Sequence, residues 1–471
     1  MRPCSDSAGP LSSGTWPMMA AGRRHLSAAG YPKGVEEISA TVRRLILDAQ
    51  RRRRLVSLVA VVAHEGRPLA EVSVGLADVG RGLPAGPEVQ YRLGSITKTL
   101  TAVGIMQQVG AGRLSLDQPL EAVWPGAPHG GLRLDQLLSH TSGLQREPVG
   151  EVWETLEVPS AEQLPSNAAQ ARVLLEPGEG WHYSNLGFAL LGEVLARVAG
   201  KTWEQYIRES ILTPLGMVRT TWRPEDPVAV GYSVTPYQQE VVVEPAMDTG
   251  GIAPAAQLWS TAQDLWRWSD FLVRGDDRVL PGEQLELMRT PRVLADLAGW
   301  TMAWGLGLML VRRGTNVFVG HTGGMPGFLA AAFCAPPFGT SVALLCNTGS
   351  GIPIAQLAAD VLEAVGEVSQ KPWHPSPPPP REVEGVLGRW WSEWTEWVFT
   401  WSGEALEARP ASAPEAPPER YRRLEGDRWV VERGSERGEE MRVVRDSEGR
   451  VEKLYISTYP FTREPRAFGK K

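Results

Sequence analysis

The chain has 471 residues, 42% of them hydrophobic and 22% charged, with a formal net charge of −6. This composition excludes a disordered or collagen-like chain, and the length is enough for roughly two to four domains. The mild acidity argues against a nucleic-acid-binding protein, which would need a basic domain. Of the 48 basic residues only seven are lysines, so arginine is the default cation and each lysine is informative.

The three cysteines, Cys4, Cys334 and Cys346, have neither redox nor metal-binding spacing. We therefore expect no disulfide scaffold and no zinc site. The N-terminal residues lack the apolar stretch of a secretory signal, and no segment reaches the roughly 18 apolar residues of a membrane helix. The sequence predicts a cytoplasmic protein that has no membrane or nucleic-acid partner.

In chain order, the sequence predicts a flexible tail over 1–37 and a helix over about 35–54, with Ile38, Val42 and Ile46 on one face. An antiparallel hairpin follows, and residues 97–245 have mostly helical patterns separated by Gly/Pro loops. A last amphipathic helix is predicted over 354–365. The predicted strands of this part of the chain lie at 55–63, 70–76, 305–310, 317–320, 329–334 and 342–346.

A run of four prolines at 377–380 predicts a stiff linker over 371–381. It separates a domain over 38–370 from a small domain over 382–471, whose alternating pattern is typical of a β-barrel or β-sandwich. Five tryptophans between Trp390 and Trp401 either fill its core or form an aromatic binding surface. Its predicted strands lie at 397–401, 428–432, 441–445 and 451–455.

Lys98 is the only lysine with a serine three residues before it, in Gly-Ser95-Ile-Thr-Lys98. On a helix this spacing places both side chains on one face. A serine at the start of that helix lies where developing negative charge is favoured. A neighbouring amine with a depressed pKa can accept its proton.

Tyr183 and Asn185 form the only Tyr-x-Asn in the chain. A tyrosine acts as a base near neutrality only if a cation stabilises its phenolate, and Lys98 is a candidate for that cation. The Asn185 amide can accept a hydrogen bond from the lysine and donate one to a substrate amide oxygen.

A third motif, His321-Thr322-Gly323-Gly324, follows an apolar strand. Its glycines allow the backbone to approach a substrate closely. A backbone N–H in this motif, together with the N–H of Ser95, could form an oxyanion hole.

In this order and spacing the three motifs resemble the serine β-lactamase and penicillin-binding-protein superfamily, in the branch of class C β-lactamases, D-alanyl-D-alanine carboxypeptidases and esterases. The resemblance covers about residues 40–368. It implies an α/β fold of the α+β type, in which helices flank an antiparallel sheet and a helical lobe is added. From Leu387 onward the chain resembles the lipocalin-like barrel of stand-alone penicillin-binding-protein-type thioesterases.

The resemblance also implies residue roles. Ser95 is the nucleophile, Lys98 holds the proton network, and Tyr183 is the general base for acylation and the acid for the leaving group. Asn185 orients Lys98 and the acyl amide, while the N–H groups of Ser95 and Gly324 bind the oxyanion.

Two departures from the family pattern bear on the substrate. Where β-lactamases have Lys-Thr-Gly, this chain has His321, and a neutral imidazole would hold a β-lactam carboxylate weakly. We therefore expect no strong β-lactamase activity. In addition, Ala255-Ala256-Gln257 replaces the usual Ala-Gly-Gly, which is expected to change the lining of the pocket.

The sequence thus predicts a serine hydrolase or acyltransferase that forms an acyl-Ser95 intermediate from an ester, a thioester or a D-residue peptide, with no cofactor and no metal. Two alternatives stay open. One is a stand-alone penicillin-binding-protein-type thioesterase that macrocyclises a non-ribosomal peptidyl thioester, in which case the substrate could be bound to a carrier protein. The other is an inactive binding protein on the same fold.

Overall fold

Two units make up the chain in the computed structural model, which describes residues 35–368, 375 and 378–467. The first unit ends at Gln370 and the second begins at Lys371. The expected tail lies almost wholly outside the described residues, as does most of the expected linker.

Alternating apolar residues build the antiparallel sheets of the first unit. Its strands are β1 Ser57–His64, β2 Arg67–Asp78, β3 Leu83–Pro84, β4 Tyr91–Arg92, β5 Tyr232–Val234, β6 Val241–Val243, β7 Trp259–Ser260, β8 Val293–Leu294, β9 Met302–Trp304, β10 Met309–Arg313, β11 Asn316–Met325, β12 Phe328–Ala335 and β13 Thr340–Cys346. Nine of them form one sheet in the order β3-β2-β1-β13-β12-β11-β10-β9-β8, and each neighbouring pair is antiparallel. Two short pairs, β4–β7 and β5–β6, stand apart from it.

Helices cover this sheet and form the rest of the unit. They are α1 Val35–Arg53, α2 Thr97–Gly110, α3 Leu120–Val123, α4 Leu134–Leu138, α5 Val152–Thr155, α6 Leu164–Ala168, α7 Asn185–Ala199, α8 Trp203–Ile207, α9 Thr213–Leu215, α10 Ala253–Ala256, α11 Ala262–Arg274, α12 Gly282–Arg289 and α13 Ile354–Val368. Short 3₁₀ turns lie at Gly94–Ile96, Gly250–Ile252 and Pro336–Phe338, and a π-helical turn lies at Arg208–Leu212.

The sheet has a hydrophobic core on each face because successive strand residues point to opposite sides. In β13, Val342 and Leu344 belong to the core that includes Val42 of α1, whereas Ala343 and Leu345 belong to the core on the other side. The second of these cores includes residues of α2, α7 and α11. The antiparallel sheet flanked by helices that the sequence predicted is thus confirmed.

The sequence prediction failed in one stretch of this sheet. The strand predicted over 305–310 is wrong, because β9 ends at Trp304 and β10 begins only at Met309. The intervening turn contains Gly307 at φ +74°, yet Leu306 and Leu308 are fully buried. A buried turn has the same apolar composition as a strand, so composition could not distinguish the two.

The second unit is an eight-stranded antiparallel sheet that is nearly closed into a barrel. Trp391 and Thr462 exchange backbone hydrogen bonds of 2.8 and 2.9 Å, joining the first strand to the end of the last. This confirms the predicted small β-barrel. Its elements are α14 Arg381–Glu384, β14 Gly388–Ser392, β15 Thr395–Trp401, β16 Leu406–Pro410, β17 Glu419–Arg423, β18 Arg428–Arg433, β19 Glu440–Arg445, β20 Val451–Ile456 and β21 Tyr459–Phe461.

The tryptophans of this barrel have divided roles. Trp390 is fully buried in the barrel core beside Phe399, while Trp397 and Trp401 pack partly buried against that core. Trp394, by contrast, is 73% exposed. Core filling therefore accounts for most of this aromatic run.

Glycine is required where β11 passes the turn that contains Ser95. A Cβ atom on Gly323 would lie 1.7 Å from the carbonyl oxygen of Leu93, and one on Gly94 would lie 2.7 Å from the backbone nitrogen of Gly324. Gly94 also has φ +54°, a conformation that side chains disfavour. The two backbones can therefore approach only if both positions lack a side chain.

We expect Gly323→Ala to lower the free energy of unfolding by roughly 1–3 kcal/mol, because the added methyl group collides with backbone that cannot move aside freely. Urea denaturation of the purified protein measures this change. Gly131→Ala is the matched control, since a Cβ there would meet nothing within 4 Å. Equal midpoints for the two variants would contradict the proposed constraint.

Candidate active site

Ser95 lies in the 3₁₀ turn that leads directly into α2, and it is the only residue of 91–100 that is not buried. Lys98 follows one turn later, and its Nζ lies 3.0 Å from Ser95 Oγ. The i, i+3 spacing seen in the sequence thus brings the two side chains into direct contact. The serine is also at the start of a helical segment, where developing negative charge is stabilised.

Lys98 is completely buried, and its Nζ has three oxygen partners. Besides Ser95 Oγ these are Asn185 Oδ1 at 2.6 Å and the carbonyl oxygen of Ala255 at 2.9 Å. Burial holds the pKa of Lys98 well below its usual value, and the positive charge of Arg146 lowers it further, whereas Glu147 opposes the shift. Nζ donates to each of these three oxygens, and because its pKa is lowered, the amine can instead accept the Ser95 hydroxyl proton when it is neutral.

Asn185 is the first residue of α7, and its amide lies between Lys98 and an acidic side chain. Its Oδ1 accepts from Lys98 while its Nδ2 donates to Glu147 Oε1 at 2.7 Å. Ser184 Oγ caps the helix by accepting from the Gly187 N–H at 2.9 Å. The Glu147 carboxylate therefore fixes the orientation of the Asn185 amide, so that its oxygen faces the lysine.

Tyr183 lies over the same cluster. Lys98 Nζ is 4.8 Å and Arg146 Cζ is 4.9 Å from its ring centroid. Burial raises the pKa of the Tyr183 phenol, although a hydrogen bond to Ser95 opposes the shift. Burial therefore favours the phenol, which can donate a proton, and the role of Tyr183 as a general base stays a prediction.

The third motif lies inside β11, not after a strand as the sequence suggested. The close approach of β11 to Gly94 places the backbone of Gly324 beside the Ser95 turn, as an oxyanion hole would require. His321 is 2% exposed, and its Nδ1–H donates to the Thr322 carbonyl oxygen. Burial is the largest cause that lowers the pKa of His321, to about 3, so the imidazole is neutral.

Several aromatic side chains pack around Tyr183, and the sequence did not predict this cluster. Trp304 lies with its ring centroid 5.8 Å from Tyr183, 5.3 Å from Trp181 and 5.4 Å from His321. His140 stacks 4.3 Å from Tyr183, and its Nδ1 accepts a hydrogen bond from the Ser184 N–H. This second contact ties His140 to the residue that caps α7.

The structure thus brings all the residues singled out by the three motifs to one place. Sequence reasoning missed Arg146 and Glu147, because neither belongs to a recognisable motif. It also missed the role of Ala255, which contributes a backbone oxygen and not a side chain. Ala255 and Gln257, in the segment that departs from the family pattern, are both buried.

Within residues 35–368, 375 and 378–467, no group of three or more His, Cys, Asp or Glu side chains could hold a metal ion. No helix in the same part of the chain is both long and apolar enough to cross a membrane.

The fold and this cluster define a serine hydrolase of the β-lactamase and penicillin-binding-protein type. The family model described as Beta-lactamase matches residues 42–367, so the chain belongs to this family. A second model, described as a domain of unknown function (DUF7586), matches residues 379–463.

This chain is similar to the following three proteins. The D-alanyl-D-alanine-carboxypeptidase/endopeptidase AmpH of Escherichia coli is 29% identical over 292 residues, covering 58% of this chain and 74% of the relative. A D-stereospecific amidohydrolase from Streptomyces sp. is 26% identical with a TM-score of 0.60, covering 69% of this chain and 98% of that one. The crystal structure of SurE with D-Leu is 26% identical with a TM-score of 0.58, covering 91% of this chain and 100% of that one.

The Glu147 charge should set the acid limb of the pH–rate profile. Glu147 raises the pKa of Lys98, so removal of its charge in Glu147→Gln lowers that pKa and leaves the amine neutral at lower pH. The glutamine side chain can still accept the hydrogen bond from Asn185 Nδ2, so the Asn185 amide keeps its orientation. We therefore expect the acid limb of kcat/KM, measured with a p-nitrophenyl ester, to move to lower pH.

Glu154→Gln is the matched control, because it removes the same charge from an exposed position close by in the chain. Its profile should coincide with that of the wild type. An acid limb that stays in place or moves to higher pH in Glu147→Gln would refute the link between Glu147 and Lys98.

Proposed function

We propose that this protein is a serine hydrolase or acyltransferase that forms an acyl ester on Ser95, with an ester, a thioester or a D-residue peptide as the acyl donor. One observation carries the proposal: the buried Lys98 amine lies 3.0 Å from Ser95 Oγ, and its pKa is held below the usual value. An amine in this state can accept the serine proton as the hydroxyl attacks.

The expected reaction has two halves. Ser95 Oγ attacks the acyl carbonyl and passes its proton to Lys98, while the N–H groups of Ser95 and Gly324 stabilise the oxyanion. The intermediate then collapses, the bond to the leaving group breaks, and the Tyr183 phenol supplies a proton to the departing atom. The Lys98 ammonium returns its proton to the Tyr183 oxygen. Water or an amine next attacks the acyl ester and gives a proton to Lys98, while the Tyr183 phenol protonates the departing Ser95 oxygen. This releases the product and restores the Ser95 hydroxyl, and the Lys98 ammonium again returns its proton to Tyr183.

A D-residue in the acyl donor is supported by the similar proteins. The name of AmpH specifies D-alanyl-D-alanine, the Streptomyces amidohydrolase is called D-stereospecific, and the SurE structure holds D-Leu. We do not propose a β-lactamase, because the neutral imidazole of His321 offers no cation for a β-lactam carboxylate.

Replacement of Lys98 should prevent acylation of Ser95. Wild-type protein treated with a fluorophosphonate is expected to gain one covalent adduct, which peptide mass spectrometry locates on Ser95. In Lys98→Arg the guanidinium cannot accept the serine proton, so the labelling rate should fall about 100-fold or more.

Lys201→Arg is the matched control and should be labelled at the wild-type rate, because Lys201 is half-exposed and pairs with Glu209. If the wild-type protein gains no adduct on Ser95, the acyl-enzyme proposal fails and the inactive binding protein is favoured.

A peptide cyclase is the second candidate function. It is supported by the second unit, whose sequence resembles the lipocalin-like barrel of stand-alone penicillin-binding-protein-type thioesterases. The similarity to SurE covers 91% of this chain, so it includes parts of both units. In this version a peptidyl thioester, either free or bound to a carrier protein, acylates Ser95 and releases its thiol. The amine at the far end of the same peptide then attacks the acyl ester and closes a ring.

A peptidyl thioester mimic that ends in a D-residue distinguishes the two candidates. Hydrolysis predicts the linear acid as the only product in mass spectra, whereas cyclisation predicts a product 18 Da lighter than that acid. The diastereomer with a terminal L-residue should react at least about tenfold more slowly, and Ser95→Ala should form neither product. Linear acid alone, from several such peptides, would eliminate the cyclase.

A further inference from the structure

His140 lies just after α4, in a backbone conformation that most side chains disfavour. Its φ is +59°, in the left-handed region, and its side chain is completely buried. A residue in this conformation often ends a helix, and glycine is the usual choice there, with asparagine next. The end of α4 therefore does not by itself require a histidine at this position.

Two hydrogen bonds join His140 to the residues on either side of Tyr183. Its carbonyl oxygen accepts from the His182 N–H at 2.7 Å, and its Nδ1 accepts from the Ser184 N–H at 3.0 Å. His140 and Ser184 are 44 positions apart in the chain. One distant residue thus holds the backbone that carries Tyr183 both before and after the tyrosine.

The His140 imidazole also packs directly on the Tyr183 ring. The two ring centroids are 4.3 Å apart, and the ring planes are inclined by 31°. The same imidazole contacts Phe188 at 5.1 Å and Trp304 at 5.3 Å between centroids, so neighbouring rings fix its own position. The phenol ring of Tyr183 therefore rests against a side chain that is itself held in place.

The imidazole combines a hydrogen-bond acceptor and a flat ring in one side chain. Burial lowers the pKa of His140 well below its usual value, so the imidazole is neutral, and because Nδ1 accepts a hydrogen bond, the proton is on Nε2. Among the described residues, Nε2 has no hydrogen-bond partner, a cost that an apolar side chain would avoid. A phenylalanine would keep the ring without the acceptor, and an asparagine would keep the acceptor without the ring.

We propose that His140 is a positioning residue that holds the Tyr183 phenol toward Ser95. The inference rests on the acyl-Ser95 function proposed above, in which the phenol gives its proton to the departing atom. That transfer requires the phenol to lie within hydrogen-bond reach of the leaving group, and a displacement of about 1 Å can lower the rate about 100-fold. The two backbone contacts and the ring contact of His140 restrict such a displacement.

Two esters with the same acyl group test this inference. N-acetyl-D-Ala methyl ester loses an alkoxide that must be protonated, whereas the corresponding p-nitrophenyl ester releases a stable phenolate that needs no proton. The quantity compared is kcat/KM for the methyl ester divided by kcat/KM for the p-nitrophenyl ester. This ratio cancels any loss of folded protein, because both esters meet the same active molecules.

His140→Asn should lower this ratio about tenfold or more. Asparagine tolerates the left-handed backbone, and its Oδ1 can accept from the Ser184 N–H, so that the ring contact is the main loss. In the Tyr183→Phe background the same substitution should change the ratio less than about twofold, because the group that His140 positions is gone. A ratio within about twofold of the wild type in His140→Asn, or a further loss of about tenfold in the double variant, would overturn the inference.

His129→Asn is the matched control, because His129 has a similar left-handed backbone, with φ +54°. Its side chain is only partly buried, and its Nε2 forms a hydrogen bond with the Ala168 carbonyl oxygen. The ratio for this variant should equal that of the wild type. An equal fall of the ratio in His129→Asn and His140→Asn would also overturn the inference.

Crystal structures of the wild type and of His140→Asn locate Tyr183 without turnover. In His140→Asn the Tyr183 ring should move by more than about 0.5 Å or occupy two conformers, which would support the inference even if neither ester acylates Ser95. A Tyr183 ring that keeps its wild-type position would overturn the inference while leaving the proposed function intact.

Discussion

The burial of Lys98 is the constraint on which the rest of the site depends. A primary amine with no water contact must find its hydrogen-bond partners in the protein. Three elements provide them: the Ser95 turn, the start of α7 at Asn185, and the α10 backbone at Ala255. Because the lysine cannot be satisfied unless all three are in place, its burial couples the assembly of the site to the packing of the helices.

Burial also determines which protonation states the side chains of the site favour. Desolvation favours the neutral amine at Lys98, the phenol at Tyr183 and the neutral imidazole at His321. The charged groups lie one layer further out, where Glu147 is hydrogen-bonded to the Asn185 amide and Arg146 lies over the tyrosine ring. A neutral centre can exchange a proton with the serine at little electrostatic cost, and the outer charges adjust the pKa of Lys98.

Much of this could be predicted from the sequence because the signals are local. The period-2 and helical patterns located the hairpin, the strands β11 to β13 and the first and last helices of the first unit to within a few residues. The exception is the end of β11, which was predicted at Gly320 but lies at Met325, beyond the third motif. The pattern failed at Leu306 and Leu308, which are buried in a turn. Side-chain hydrophobicity reports burial, whereas the direction of the chain at Gly307 depends on a backbone angle that hydrophobicity does not encode.

The sequence by itself determined the pair Ser95 and Lys98, because three residues along a helix fix the distance between two side chains. It also singled out Asn185, but the contact with Lys98 spans 87 positions and the Ala255 contact spans 157. Only the tertiary structure decided that Glu147 orients Asn185 and that Arg146 covers Tyr183. Such contacts join segments that are distant in the chain, and their geometry is set by helix packing and by the close passage of β11, which no local pattern specifies.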